Sequence, residues 1–165
     1  MPNVTPEKMA AAIDMQNLLT TNDALYARCD ELAQTQQFMF MELASFARDG
    51  ATDSQITELI GFLSVLQYLA ESISKDAARP VKQPEFSESV KRALLWFKTF
   101  DSQGKDEMMK AWVQAMEQQG EPVIWAWLVN ILRENDMLTC DLAEEIVVTL
   151  YAVADVISRQ LGVSK

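Results

Sequence analysis

The sequence predicts an all-α protein, built as a bundle of six or seven helices. Hydrophobic residues make up 49% of the 165-residue chain, which is enough for one substantial core. Only five glycines and five prolines are present, whereas residues that favour helices, such as alanine, leucine, glutamine and glutamate, are plentiful. Apolar residues recur at helical spacing in every long segment, and no convincing alternation typical of a strand is found.

The first helix is predicted to begin at Thr5-Pro6, because a threonine followed by a proline is typical of a helix N-terminus. An apolar residue then recurs every seven positions from Ala11 to Phe46, which predicts one long helix that reaches about Arg48. The segment TTND at 20–23 favours caps over helix interiors, so the sequence leaves open a break at that point.

A seven-residue repeat of this kind has two interpretations. The helix can pack within its own bundle, or it can form the seam of a homodimer. A coiled-coil seam needs two apolar positions in each seven-residue repeat. The second of these positions is occupied by polar or small residues, which weakens the dimer interpretation: Asn22, Cys29 and Gln36.

A second helix is predicted after Gly50, since glycine commonly follows the end of a helix. Thr52 and Gln55 have the spacing of a capping box, which places the start of the new helix. The apolar stripe of this helix continues to Ile73.

The next segment contains two prolines and mixed charges, and we expect a linker at 76–86. It would join an N-terminal half, 1–75, to a C-terminal half, 87–165, within one compact domain. The segments 41–69 and 126–153 share one order of features: apolar helix, turn with an arginine and an acidic residue, threonine cap, apolar helix. The halves are either distant duplicates or two helical hairpins produced by the same local rules.

Four helices are predicted in the C-terminal half. One begins at Phe86–Ser87, and another carries an apolar face at 109–116. Pro122 is suited to the first turn of the third helix, and Thr139 can cap a last helix that extends to Leu161.

The stretch from Pro122 to Leu132 is the most unusual one in the chain, because only Asn130 in it carries a conventional polar side chain. A helix that is apolar on all sides must be surrounded, either by its own fold or by a second molecule. Tryptophans are enriched at interfaces, and Trp125 and Trp127 are therefore candidate interaction residues. The run is shorter than the roughly 20 residues that cross a bilayer.

The residue inventory excludes most known catalytic and cofactor sites. There is no histidine, which removes serine–histidine and cysteine–histidine nucleophiles and histidine zinc sites. The glycines are too scattered for a phosphate-binding loop. Cys29 and Cys140 are far apart, and each precedes an aspartate, which raises a thiol pKa. We therefore predict no catalytic residue, no cofactor and no metal ligand.

One enzymatic alternative rests on a resemblance. The segments FMFMELASFARDG and TELIGFL resemble helices of all-α nucleotide pyrophosphohydrolases, which hold Mg²⁺ through Glu-x-x-Glu and Glu-x-x-Asp motifs. Here Glu42 is followed at the third position by Ser45, and Glu58 by Gly61, so half of the carboxylates are replaced. The resemblance covers about 30 residues and implies a degenerate enzyme of that type, since a hard cation needs several oxygen ligands.

The formal net charge is −10. The basic residues are concentrated at 75–98, a segment that contains six basic and three acidic residues. Direct binding to nucleic acid is disfavoured, because such affinity depends on neutralising phosphates. A partner protein, basic in character, fits the acidic balance better.

The acidic C-terminal region supports an alternative, an inhibitor that imitates nucleic acid and occupies a nucleic-acid-binding protein. The candidate residues for this role share negative charge and closeness in sequence: Glu134, Asp136, Asp141, Glu144 and Glu145.

The N-terminal segment MPNVTPEKMAAAIDM has no basic region followed by an apolar core, so we expect no signal peptide. Two unpaired cysteines fit the reducing cytoplasm. The sequence thus favours a non-catalytic cytoplasmic protein-interaction module, of adaptor, immunity or regulatory type, without membrane contact.

Overall fold

A computed structural model describes residues 4–100, 121–134 and 141–163. The all-α prediction is confirmed, since the described residues form seven α-helices and one short 3₁₀ helix, Ser45–Ala47, and no strand. The helices are α1 (Pro6–Asn17), α2 (Asn22–Thr35), α3 (Gln37–Ala44), α4 (Asp53–Ile73), α5 (Gln83–Phe100), α6 (Pro122–Glu134) and α7 (Ala143–Val163).

The long N-terminal helix is divided at the TTND segment, as the alternative interpretation allowed. Thr5 caps α1 through a hydrogen bond that its hydroxyl accepts from the Lys8 amide at 3.2 Å. Thr21 caps α2 in the same way, accepting from the Ala24 amide at 3.1 Å. Because this cap satisfies an amide that a continuous helix would bond internally, the chain can change direction after Asn17.

A second break, at Gln36, corrects the prediction of a continuous helix to Arg48. Gln36 has φ −135° and ψ 55°, which lies outside the helical region, and its side chain is buried. The side-chain oxygen of Gln36 accepts from the Val81 amide at 2.9 Å, and its nitrogen donates to the Arg79 carbonyl at 3.1 Å. The break thus serves a tertiary contact with the segment between the two halves.

The predicted signals at the start of α4 are confirmed. Gly50 follows the 3₁₀ helix with φ +99°, a conformation that favours glycine. Thr52 and Gln55 form the complete capping box, with both reciprocal hydrogen bonds. The helix ends at Ile73, where the predicted apolar stripe ends.

The segment between α4 and α5 is shorter than the predicted linker at 76–86, because α5 begins at Gln83 rather than at Phe86. It is fixed to the bundle by buried glutamines: Gln67 donates to the Ala78 carbonyl at 3.1 Å, and its side-chain oxygen accepts from Gln36 at 2.9 Å. These contacts replace water for backbone groups that would otherwise be buried without partners.

Helices α4 and α7 form the centre of the bundle. Helix α1 packs along α4, α5 packs along α7, and α4 and α7 contact each other. One hydrophobic cluster includes residues of both halves, so the halves share a core. In α6 the buried side chains are Ile124, Trp125, Leu128, Val129, Ile131 and Leu132.

Helix α6 is therefore a core element, and its apolar composition reflects burial within the chain. The exposed residues of α6 are Pro122, Ala126, Asn130, Arg133 and Glu134. Helix α4 is long and apolar enough to cross a membrane by length and composition, but half of the relevant window is buried in the bundle. A central core helix accounts for that composition.

Some predicted features lie outside the described residues. They are the helix at 109–116, the cap at Thr139, Cys140 and the acidic residue Asp136.

Candidate functional site

The two tryptophans of α6 that the sequence marks as interaction candidates occupy different environments. Trp125 is 1% exposed, and its ring packs against Tyr151 with centroids 4.9 Å apart. It is thus a core residue of this structure and offers no surface to a partner. Trp127 is half-buried and stacks on Phe62 of α4, with centroids 5.0 Å apart and rings within 9° of parallel.

Trp127 and Phe62 form part of the wall of a surface cleft, which we call the aromatic cleft. It has a volume of about 540 Å³ and lies between α1, the start of α2, α4 and α6. The described residues that line it are Ile13, Gln16, Asn17, Leu19, Leu25, Thr57, Glu58, Gly61, Phe62, Val65, Trp127, Ile131 and Glu134. Its volume is in the range of ordinary ligand sites in proteins.

Helical spacing explains how α6 contributes to the cleft. Trp127, Ile131 and Glu134 are separated by four and three residues, so they share one face of the helix. This face carries the ring of Trp127, the aliphatic side chain of Ile131 and the carboxylate of Glu134. The candidate residues Trp127 and Glu134 are thereby brought to one site, although they are seven positions apart.

Helix α4 contributes to the lining by the same rule, with Glu58, Phe62 and Val65 on one face. Gly61 also lines the cleft, and a Cβ atom added there would meet only Gln16 Nε2, at 3.9 Å. This is ordinary van der Waals contact, so a Cβ atom fits at this position of the cleft lining without displacing a neighbour. The amide oxygen of Gln16 is already engaged, as it accepts a hydrogen bond from Ser64.

The described residues that line the aromatic cleft carry a net negative charge. Glu58 and Glu134 are its two charged lining residues among those described, and neither forms an ion pair with a described residue. Glu134 lies in the last described turn of α6, next to Arg133, and its side chain is exposed.

The other acidic candidates lie outside this cleft. Asp141, Glu144 and Glu145 are exposed at the start of α7, and none of them lines the aromatic cleft. Glu144 and Glu145 occupy the first turn of α7, where negative charge is favourable to the helix dipole. Their helix position therefore accounts for them without a partner.

The glutamates of the pyrophosphohydrolase resemblance are not brought into one site. Glu58 lines the aromatic cleft, whereas Glu42 lines a groove between α3 and α5. Within the described part of the chain, no three side chains of the metal-binding types form a group that could hold a metal ion. The arrangement of the described carboxylates does not fit a Mg²⁺ centre of that family.

The groove between α3 and α5 has a volume of about 680 Å³ and was not predicted. Phe38 and Met41 give it an apolar side, and Met41 is largely exposed. Its charged lining residues, Glu42, Arg48 and Lys91, have both signs. The charges therefore do not select one chemical kind of partner.

A third recess is rich in arginine, but the arginines are paired within the chain. Arg79 donates to both carboxylate oxygens of Glu85, at 3.0 and 3.1 Å, and this contact holds the pKa of Glu85 below its usual value. Arg92 and Arg159 both donate to Asp155. Because these guanidinium groups have carboxylate partners, the recess has no excess of positive charge with which to hold an anion.

Cys29 is partly buried, and burial, followed by the neighbouring Asp30, raises the pKa of its thiol. The direction expected from the sequence is thereby confirmed, and it disfavours a nucleophilic thiolate.

Comparisons of the chain with protein-family models, with curated proteins and with solved structures find no match. The function proposed below therefore rests on the described residues alone. Sequence reasoning identified Trp127 and Glu134 but missed other residues of the cleft lining, such as Phe62 and the α1 residues Ile13 and Gln16. The apolar stripe predicted for α4 did not include Phe62, and nothing local in the sequence connected Phe62 to Trp127.

Proposed function

We propose that the protein is a non-catalytic cytoplasmic protein-interaction module, of adaptor, immunity or regulatory type. It binds a segment of a partner protein in the aromatic cleft. The observation that carries this proposal is that half-buried Trp127 stacks on buried Phe62 in the wall of a concave, partly apolar surface. Tryptophan in such a position is the residue type that most often dominates binding energy at protein interfaces.

Exposed apolar residues beside the cleft add support. Leu18 is 74% exposed and Met15 is nearly half exposed. Met15 lies in the last turn of α1 and Leu18 directly follows the helix, and the neighbouring residues Gln16 and Asn17 line the cleft. A partner that entered the cleft could cover these side chains, and removing apolar surface from water favours association.

The test is to fill the cleft. Replacing Gly61 by leucine adds a side chain that extends into the cleft, whereas replacing Gly162 by leucine adds the same side chain to a helix where a Cβ meets nothing within 4 Å. We expect Gly61→Leu to weaken capture of the native partner by affinity purification at least about tenfold, which corresponds to ~1.4 kcal/mol. Gly162→Leu should capture the same partner as the parent protein.

Circular dichroism must show the parental fold in both variants, and their melting temperatures must not fall below that of the parent, because leucine favours a helix more than glycine does. Loss of binding is then not loss of fold. If Gly61→Leu retains the partner at parental strength, the cleft is not the binding surface and this proposal fails.

A second candidate function, an inhibitor that imitates nucleic acid, is favoured by the exposure of Glu134, Asp141, Glu144 and Glu145. In that case binding depends on an array of surface charge and weakens steeply as salt concentration rises. Filling the cleft at Gly61 would then have little effect, and the same purification distinguishes the two functions.

A further inference from the structure

The chemistry of the aromatic cleft indicates which side chain of a partner would enter it. Its described lining combines an indole ring, two carboxylates without an ion-pair partner among the described residues, and polar groups such as the Thr57 hydroxyl. No lysine or arginine is among these lining residues. A cationic group on the partner would therefore complement the charge of the cleft.

The same protein already contains an arginine site of this composition, on another face of α4. The guanidinium of Arg28 lies 3.6 Å from the ring centroid of Tyr68. Its Nε donates to the Ser64 hydroxyl at 2.8 Å, and its Nη1 donates to Glu31 at 2.9 Å. The carboxylate of Glu71 lies 4.0 Å from the same Nη1 atom of Arg28. An aromatic face, a hydroxyl and two carboxylates thus hold one guanidinium.

The aromatic cleft presents the corresponding groups to the outside. Trp127 takes the place of the tyrosine ring, and Glu58 and Glu134 supply the two carboxylates. The hydroxyl of Thr57 donates to the Asp53 carbonyl at 2.8 Å, which leaves its lone pairs able to accept from a guanidinium. Planar guanidinium groups suit such sites better than ammonium groups, because they stack on rings and bind carboxylates at two points.

We propose, on the basis of the proposed function, that the aromatic cleft binds an arginine side chain presented by an apolar segment of the partner protein. The guanidinium lies between Glu58 and Glu134 and against the Trp127 ring. Apolar residues beside the arginine contact Leu18 and Met15, the exposed side chains at the end of α1. The cleft therefore selects a basic and apolar sequence, and its carboxylates set specificity.

The test uses a synthetic twelve-residue peptide of leucine and arginine as the probe, with matched peptides in which lysine or glutamine replaces arginine. The double variant Glu58→Gln and Glu134→Gln removes both cleft charges while keeping the side-chain shape. Its matched control, Glu144→Gln with Glu145→Gln, removes the same charge from α7 outside the cleft. Isothermal titration calorimetry measures each affinity at low and high salt.

The cleft variant is expected to bind the arginine peptide about tenfold or more weakly than the parent, because two charge-assisted contacts are lost. The control variant should lose no more than about twofold, as expected for distant, screened charges. The parent should prefer the arginine peptide over the lysine peptide, and both over the glutamine peptide.

Three results would overturn the inference: no binding of the arginine peptide to the parent, an unchanged affinity in the cleft variant, or an equal loss in both charge variants. The native partner separates this failure from that of the proposed function. If Gly61→Leu loses the partner but the double variant Glu58→Gln with Glu134→Gln keeps it, the cleft binds a partner that has no arginine anchor. If both variants keep the partner, both proposals fail.

Discussion

Helices α4 and α7 occupy similar positions in the two halves of the molecule and are built alike. Each has 21 residues and lies at the centre of the bundle. Each donates a side-chain hydrogen bond to the segment that joins the halves, from Gln67 to the Ala78 carbonyl at 3.1 Å and from Gln160 to the Arg79 carbonyl at 3.4 Å. The joining segment is thereby attached to both central helices.

The polar clusters on these helices differ in which charge they bury. Beside α4 the cation is inside: Arg28 is 5% exposed, and its carboxylate partners Glu31 and Glu71 lie at the surface. On α7 the anion is inside: Asp155 is 6% exposed, and Arg92 and Arg159 reach solvent.

This difference in buried charge limits how far the similarity of the two hairpin sequences extends. The apolar pattern and the position of the central helices are shared, but the polar contacts are of opposite sign. Local rules for apolar helices and turns are sufficient to produce the shared part. Duplication of the halves stays a hypothesis, since the contacts that distinguish the halves give it no additional support.

The largest effect is expected at the buried arginine. Arg28→Ala should lower the free energy of unfolding by about 3 kcal/mol, because a buried side chain that packs on Tyr68 and bonds Ser64 is lost. Arg92→Ala should cost only about 1 kcal/mol, since its side chain is 38% exposed. Urea unfolding followed by circular dichroism measures both. An equal or larger loss in Arg92→Ala would show that burial does not distinguish the two clusters.

A somewhat smaller effect is expected at the buried carboxylate. Asp155→Asn keeps the shape but removes the charge that Arg92 and Arg159 contact, and should cost about 2 kcal/mol. Glu31→Gln removes a carboxylate from the other cluster at an exposed position and should cost less than about 0.5 kcal/mol. The urea midpoints of the two variants, at an equal dependence of the free energy of unfolding on urea, give the two losses of stability. If the two substitutions cost the same, the reversal of buried charge has no energetic consequence.

The helices of the fold were predictable where their signals are local. Threonine caps at Thr5, Thr21 and Thr52 each act within three residues of their partners. The break at Gln36 was not predictable, because it is stabilised by the carbonyl of Arg79 and the amide of Val81, more than 40 residues away. No local pattern carries such a contact.

The candidate site was predictable in part for the same reason. An apolar helix with tryptophans indicated α6, and its spacing places Trp127 and Glu134 on one face. The sequence could not show that Trp125 faces the core, because α6 is apolar on both sides. Nor could it pair Trp127 with Phe62, whose stacking depends on how α4 and α6 pack.

The smallest effect concerns pH and tests whether the buried anion of α7 influences its surroundings. Burial, followed by the charge of Asp155, raises the pKa of the Tyr151 phenol, while Arg159 and Arg92 oppose that shift. An unfolded tyrosine ionises near pH 10, below the folded value. The unfolded state therefore loses its proton first, so this contribution to stability is complete below about pH 10 and is lost as pH rises towards the folded pKa.

The variant Tyr151→Phe has no phenol to ionise at this position. All other titrating groups are the same in the variant and in the parent. The parent should thus lose stability faster than Tyr151→Phe as pH rises above about 10, and the difference measured at pH 7 supplies the baseline for the missing hydroxyl. In the Asp155→Asn background the alkaline loss due to Tyr151 should shrink, because one of the two causes of the raised pKa is gone. Parallel pH profiles for the parent and Tyr151→Phe would show that Tyr151 does not contribute to the alkaline loss of stability. An unchanged loss in the Asp155→Asn background would show that burial alone raises the pKa of Tyr151.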